Sequence, residues 1–237
     1  MKQYLIFLLV SILFISGCTY HGQVRRNIYK ESDRTPAIHA SVLVRANQHV
    51  PQELLITDTE NSDMQSFLLK IREGVTSAVV DALRGQFQTV QEENFSAQQP
   101  YDYVAEVALE SGLTRNNCEG ELAKWAVRKD GLCTMVTLTF YRAEGEKLTS
   151  VKASAWREFR TPGFASSVRW VNKHTYIFSP VLTPVYMQAQ GTTLRNQFEA
   201  NLTETLDDIL STLQQQRMLF EPAANNKMPE TAQNYVE

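Results

Sequence analysis

The sequence predicts an α+β domain in which a mostly antiparallel sheet carries two long amphipathic helices on one face. Three observations predict it. Several short runs alternate apolar and polar residues at period two, the pattern of half-buried strands. Two longer runs repeat apolar residues at spacings of three and four, the pattern of helices with one buried stripe. Hydrophobic residues make up 43% of 237 positions, an ordinary share that can fill a sizeable core. Helices packed on one face of a sheet bury both patterns together.

The first strand is expected over 37–46, where Ile38, Ala40 and Val42 alternate with Ser41 and Arg45. Residues 54–56 add a short strand or a loop contact. A helix then follows Ser62 and Gln65, which have capping-box spacing. Its apolar stripe is Phe67, Leu68, Ile71, Val75, Ala78, Val79, Ala82 and Leu83. Gly85 stands where a glycine stop is expected. Residues 87–91 return to a strand pattern, and 94–100 is a turn region.

Tyr103, Ala105, Val107 and Leu109 alternate with Asp102, Glu106 and Glu110. Val136, Leu138 and Phe140 alternate with Thr137, Thr139 and Tyr141. Residues 143–146 form a hairpin turn in which Gly145 supplies positive φ. The return strand covers 148–159. The second helix is expected over 192–217, with Leu194, Phe198, Leu202, Leu206, Ile209, Leu210 and Leu213 as its stripe. Residues 218–237 lack periodicity and are expected to be a mobile tail. No internal repeat is present, so 37–217 is expected to be one domain.

The connection over 161–190 is unusually aromatic, and connections of that length are functional or partly structured. Trp170, Tyr176, Phe178 and Tyr186 are the candidate contact residues, with Arg169, Lys173 and His174 beside them. Aromatic and arginine side chains favour interfaces. The alternative is that the segment covers an open face of the sheet, because large exposed apolar patches are uncommon on monomers. Trp125 and Val127 form a smaller patch with the same two readings.

The N-terminus has the layout of a secretory signal peptide: Lys2, an apolar run over 5–15, then small residues. The apolar stretch is about fourteen residues, short of the ~20 that a membrane-spanning helix needs. Its end, Ile15-Ser16-Gly17-Cys18, resembles the lipobox of bacterial lipoproteins. That resemblance implies removal of residues 1–17 and a lipid-bearing Cys18. Thr19, in place of Asp, implies the outer membrane of a Gram-negative cell, with the domain facing the periplasm. Residues 18–36 are polar and aperiodic and are expected to be a lipidated tether. The run Val80-Asp81-Ala82-Leu83-Arg84-Gly85-Gln86-Phe87 and the closing amphipathic helix resemble YajG-like lipoproteins and the auxiliary lipoproteins of ABC-type transport systems.

With Cys18 assigned to lipid, Cys118 and Cys133 remain as an even pair in an oxidising compartment. A bridge between them closes a loop of about fifteen residues, worth roughly 3 kcal/mol in the chain-entropy model. Two free thiols are the alternative.

A net charge of −3 with no dense basic run points away from nucleic acid. The four histidines, His21, His39, His49 and His174, have no metal-ligand spacing, and no cofactor motif is present. Nucleophile-elbow, paired-histidine and phosphate-loop patterns are also missing. Glu106 and Glu110 share one strand face and are expected to be solvated. A hydrolase would need a nucleophile and base gathered in a cleft.

The expected role is therefore non-enzymatic. A membrane-anchored envelope component, held by lipid on Cys18, would bind another envelope protein. The alternative is a carrier holding an apolar ligand in a cavity lined by Phe140, Trp156 and Leu202.

Overall fold

A computed structural model describes residues 19–29, 36–46, 48–57, 66–93, 100–115, 118, 130–159 and 179–220. The elements are β1 (Thr19–Gln23), β2 (Ile38–Ala46), β3 (Glu53–Thr57), β4 (Ser66–Lys70), α1 (Arg72–Arg84), β5 (Phe87–Glu92), β6 (Tyr103–Arg115), β7 (Asp130–Arg142), β8 (Lys147–Glu158) and α2 (Ser179–Gln215). A 3-10 turn, Arg217–Leu219, closes the described chain.

Two sheets form, and α+β describes them, but they are mixed rather than mostly antiparallel. The larger sheet has the order β5-β2-β6-β7-β8. Within it β2 pairs in parallel with both β5 and β6, while β6, β7 and β8 pair antiparallel. The parallel β2–β5 pair is allowed by the long connection between them, which holds β3, β4 and α1. A crossover of that length returns the chain in the same direction. The smaller sheet has the order β1-β4-β3 and was not anticipated.

The smaller sheet also corrects the expected first helix. Phe67, Leu68 and Ile71 fit a helical spacing, but Phe67, Leu69 and Ile71 fit period two equally well. The second pattern wins: Phe67, Leu69 and Ile71 are buried, whereas Lys70 is exposed. The helix starts only at Arg72, with Ile71 as an N-cap that makes no side-chain capping bond. It ends at Gly85 without left-handed geometry, since φ is −72° there. The expected capping pair Ser62 and Gln65 lies outside the described residues.

Antiparallel alternation was read correctly and reaches further than expected. Rows such as Val107–Leu138–Val151 face the helices, and rows such as Glu106–Thr139–Ser150 face away. Gly145 has φ +91° in the β7–β8 turn.

Helix α2 is longer at its start than the expected 192–217. It runs 37 residues, and an ideal helix of that length spans about 55 Å. Pro184 lies inside it and removes one backbone bond. The cost of proline and Gly191 together is roughly 4 kcal/mol on helix propensities. Burial of Tyr186 and Met187, at about 1.5–3 kcal/mol for each large side chain, offsets it.

The core between helices and larger sheet closes on an aromatic cluster. Phe220 meets Phe87, Tyr103 and Phe140 edge-on, with ring centroids 5.3, 5.4 and 5.0 Å apart. The Tyr103 hydroxyl donates to the Phe220 carbonyl at 3.2 Å. Burial, followed by the charge of Asp102, raises the Tyr103 pKa and keeps that donor protonated. Phe220 is thus part of the core, although it falls in the expected tail over 218–237; residues 221–237 lie outside the described residues.

Phe220→Ala should cost about 3–5 kcal/mol, the usual range for a buried phenylalanine. A urea titration of the soluble domain checks this, and an unchanged midpoint would contradict the packing.

Candidate functional site

The expected tether over 18–36 is structured where it is described. Thr19–Gln23 pair in parallel with Ser66–Lys70 as β1 and β4. Tyr20 and Val24 are buried, because they alternate with exposed residues toward the core. Polar composition concealed this: the two apolar side chains that dock are separated by residues facing solvent.

The segment from Thr19 to Tyr29 runs alongside α2. Tyr20 lies against Gly191, where an added Cβ would sit 2.3 Å from the Tyr20 ring. Val24 lies against Gly74 of α1, where a Cβ would fall 2.6 Å from a Val24 methyl. Both glycines are required by close approach rather than by φ. Further along, Arg25 binds Glu199. Its backbone N–H donates to Oε1 at 3.0 Å and its Nε to Oε2 at 2.8 Å, and Nη2 contacts Oε2 as well. Glu199 is only 2% exposed, whereas the Arg25 guanidinium reaches solvent. Hydrogen bonding to Glu199, then its charge, raises the Arg25 pKa. The Tyr29 hydroxyl donates to Asp207 at 2.7 Å.

The opposite side of α2 carries a polar stripe against β7 and β8. Asn201 donates to the Leu132 carbonyl at 2.8 Å, and Gln197 donates to the Glu158 carbonyl at 2.9 Å. The Gln190 and Asn201 side-chain oxygens are buried without a hydrogen-bond partner among the described residues. An open groove of about 430 Å³ lies beside this stripe, lined by Arg157, Glu158, Thr193, Asn196, Gln197 and Ala200. Among the described residues it brings together one carboxylate, one guanidinium, two amides and the Thr193 hydroxyl, which donates to the Ala189 carbonyl at 3.0 Å.

Cys118 and Cys133 are joined as a disulfide, with Cα atoms 5.2 Å apart. Cys133 opposes Gly112 on one side and Trp156 on the other, on the sheet face away from the helices. The bridge therefore ties the β6–β7 connection to that outer face.

The candidate contact residues separate. Tyr186 is 3% exposed within the core of α2, so it is not a surface contact. It was misread because the prolines beside it suggested an irregular connection. Trp170, Tyr176 and Phe178 lie outside the described residues, as do Cys18, Trp125 and Val127. Glu106 is partly exposed and lies 3.9 Å from the Arg45 guanidinium, and Glu110 is exposed.

The expected ligand cavity fails on geometry. Phe140 and Leu202 are fully buried on the helix side. Trp156 sits in the Cys133 row on the other face, so the three residues cannot line one cavity. Among the described residues no three His, Cys, Asp or Glu side chains gather as a metal site. No helix among them is long and apolar enough to cross a membrane.

No family model matches the sequence, and no curated protein does. Among the solved structures that match are proteins of three Gram-negative bacteria. A Xanthomonas campestris protein of the DUF330 family is 13% identical, covering 85% of this chain and 99% of its own, with TM-score 0.45. A Caulobacter crescentus protein assigned as a lipoprotein is 13% identical over 61% of this chain and 80% of its own, with TM-score 0.31. A minor lipoprotein of Acinetobacter baumannii is 15% identical over 68% and 94%, with TM-score 0.30. Likeness at this level is too low to carry an inference about role.

Two outcomes follow from these contacts. Arg25→Ala leaves the buried Glu199 carboxylate with one backbone donor, so amide exchange over 19–24 should accelerate relative to β7; unchanged exchange would show that the ion pair does not hold β1. Replacing Cys118 and Cys133 together by serine should cost roughly 3 kcal/mol in a urea titration under oxidising conditions. Intact mass with and without reductant should show one bridge in the parent chain, whereas two alkylatable thiols would refute it.

Proposed function

We propose that the chain is a lipid-anchored envelope lipoprotein acting as a non-enzymatic binding or assembly component. It is held by acyl chains on Cys18 at the outer membrane and faces the periplasm. One observation carries this reading: a short apolar run with a basic start ends in the lipobox-like Ile15-Ser16-Gly17-Cys18. The apolar run over 5–15 has the length and flanks of an export signal.

Anchoring confines the domain to two dimensions, which raises its effective concentration toward any other component of the same membrane. The partner proposed is another envelope protein. Trp170, Tyr176 and Phe178 supply the contact chemistry in sequence, as aromatic anchors beside cationic side chains.

The test is the fate of Cys18→Ala. The parent chain should lose residues 1–17, gain acyl mass and fractionate with the outer membrane. The variant should appear in the soluble periplasmic fraction and lose its in-cell cross-links to envelope proteins. Unchanged membrane retention of the variant would sink the anchor.

A further inference from the structure

Strand β8 is an outer strand of the larger sheet and, among the described residues, pairs only with β7. The hairpin fixes which of its backbone groups are already bonded. The Arg142 N–H donates across the turn to the Glu146 carbonyl, so the even-numbered residues of β7 turn their N–H and C=O groups toward β8. Their partners are Thr149, Val151, Ala153, Ala155 and Arg157. Ser150, Lys152, Ser154 and Trp156 therefore turn N–H and C=O outward. The next carbonyl in that series, on Glu158, accepts the side-chain amide of Gln197 on α2.

Sheets blunt their edges by shortness, bulges, proline or charge. The smaller sheet ends on β1 and β3, strands of five residues each. At the other edge of the larger sheet, β5 has six residues and a register shift against β2. In contrast β8 has twelve, unshifted from Thr149 to Glu158 and without proline. Between Leu148 and Trp156 its one charge is Lys152, which is exposed and makes no ion pair among the described residues.

The open groove of about 430 Å³ adjoins this edge where it meets α2. Arg157 and Glu158 form its strand side, and Thr193, Asn196, Gln197 and Ala200 form its helix side. The Gln197 side-chain oxygen is buried without a donor. A strand added to β8 would run along this groove and point alternate side chains at α2.

We propose that the β8 edge and this groove bind an extended segment of another protein as an added strand, with a carboxylate opposite Lys152. The inference rests on the binding-component reading and gives it a surface among the described residues. Charge selects the occupant. A second copy is disfavoured, because the antiparallel registers that pair most of the edge set Lys152 directly or diagonally opposite the same lysine of its mate. An acid at that place turns the same lysine into an attraction. A hydrogen-bond donor on the groove side satisfies the Gln197 oxygen.

The test uses the full chain in detergent and a blocked nine-residue probe of alternating threonine and glutamine with aspartate at its centre. A second probe has lysine at the centre. Both read the same in either direction, so either strand orientation is sampled. Amide exchange is followed residue by residue. In the free chain Ser150, Lys152 and Ser154 should exchange fast, and Val151, Ala153 and Ala155 slowly. The aspartate probe should slow the first set and bind about threefold more tightly than the lysine probe, or better, as a directly opposed charge pair allows. Lys152→Glu should reverse that preference. Ser154→Pro removes one outward N–H where an edge strand tolerates proline, and should abolish protection by either probe at an unchanged thermal midpoint. Lys152→Glu keeps the test decisive if S154P disturbs the sheet.

Outward amides already protected in the free chain would show the edge covered by the chain itself. Protection that rises with protein concentration alone would show a second copy on it. Either result overturns the proposal, as does equal protection by the two probes or none by both. The measurement needs no membrane, so its failure leaves the Cys18 anchor standing, and membrane retention of Cys18→Ala would sink the anchor without touching this surface.

Discussion

Helix α2 is the shared wall on which the rest of the structure depends. It contacts β7 and β8 of the larger sheet, β1 of the smaller sheet, and α1. A 37-residue helix has no reason to stay straight and helical through Pro184 and Gly191 in isolation. Its stability comes from burying different stripes against different layers. Leu194, Phe198, Leu202, Leu206, Ile209 and Leu213 are all essentially inaccessible to solvent. The close approach of Tyr20 to Gly191 then places the start of the described chain on the same rod.

Polar contacts set where these layers meet. Apolar packing along a helix tolerates sliding by a turn, whereas a buried carboxylate does not. Glu199 accepts bonds from both the backbone and the guanidinium of Arg25, and a shift of one turn would leave its charge unpaired in the core. Asn201 and Gln197 act likewise on the other side by bonding carbonyls of Leu132 and Glu158. Such contacts contribute little net stability and much to register.

Under the proposed lipid anchoring on Cys18, that register has a functional consequence. A mobile tether would let the domain sample many orientations, and the lipid would set only its distance from the bilayer. The described strand over Thr19–Gln23, next in the chain to the proposed anchor, packs on the helix through Tyr20. The disulfide adds stiffness elsewhere, pinning the β6–β7 connection to the outer face of the sheet.

Much of this was legible in the residues themselves. Period-two alternation from Tyr103 to Leu109 and from Val136 to Phe140 located β6 and β7, because a half-buried strand leaves that trace whatever its neighbours are. Counting cysteines paired Cys118 with Cys133, which the structure joins. The misreadings arose where local pattern was ambiguous or overruled. Phe67 and Ile71 satisfy strand and helix periods alike, so only the pairing of β4 with β1 and β3 could decide. Pro184 and Gly191 are locally unfavourable to helix, and the burial of Tyr186, Met187 and Tyr20 outweighed them. Parallel pairing of β2 with β5 and β6, and the docking of Tyr20 and Val24, depend on contacts between residues far apart in the chain. One residue's neighbours in sequence determine its period and its charge; which distant surface it buries is decided only when the layers close.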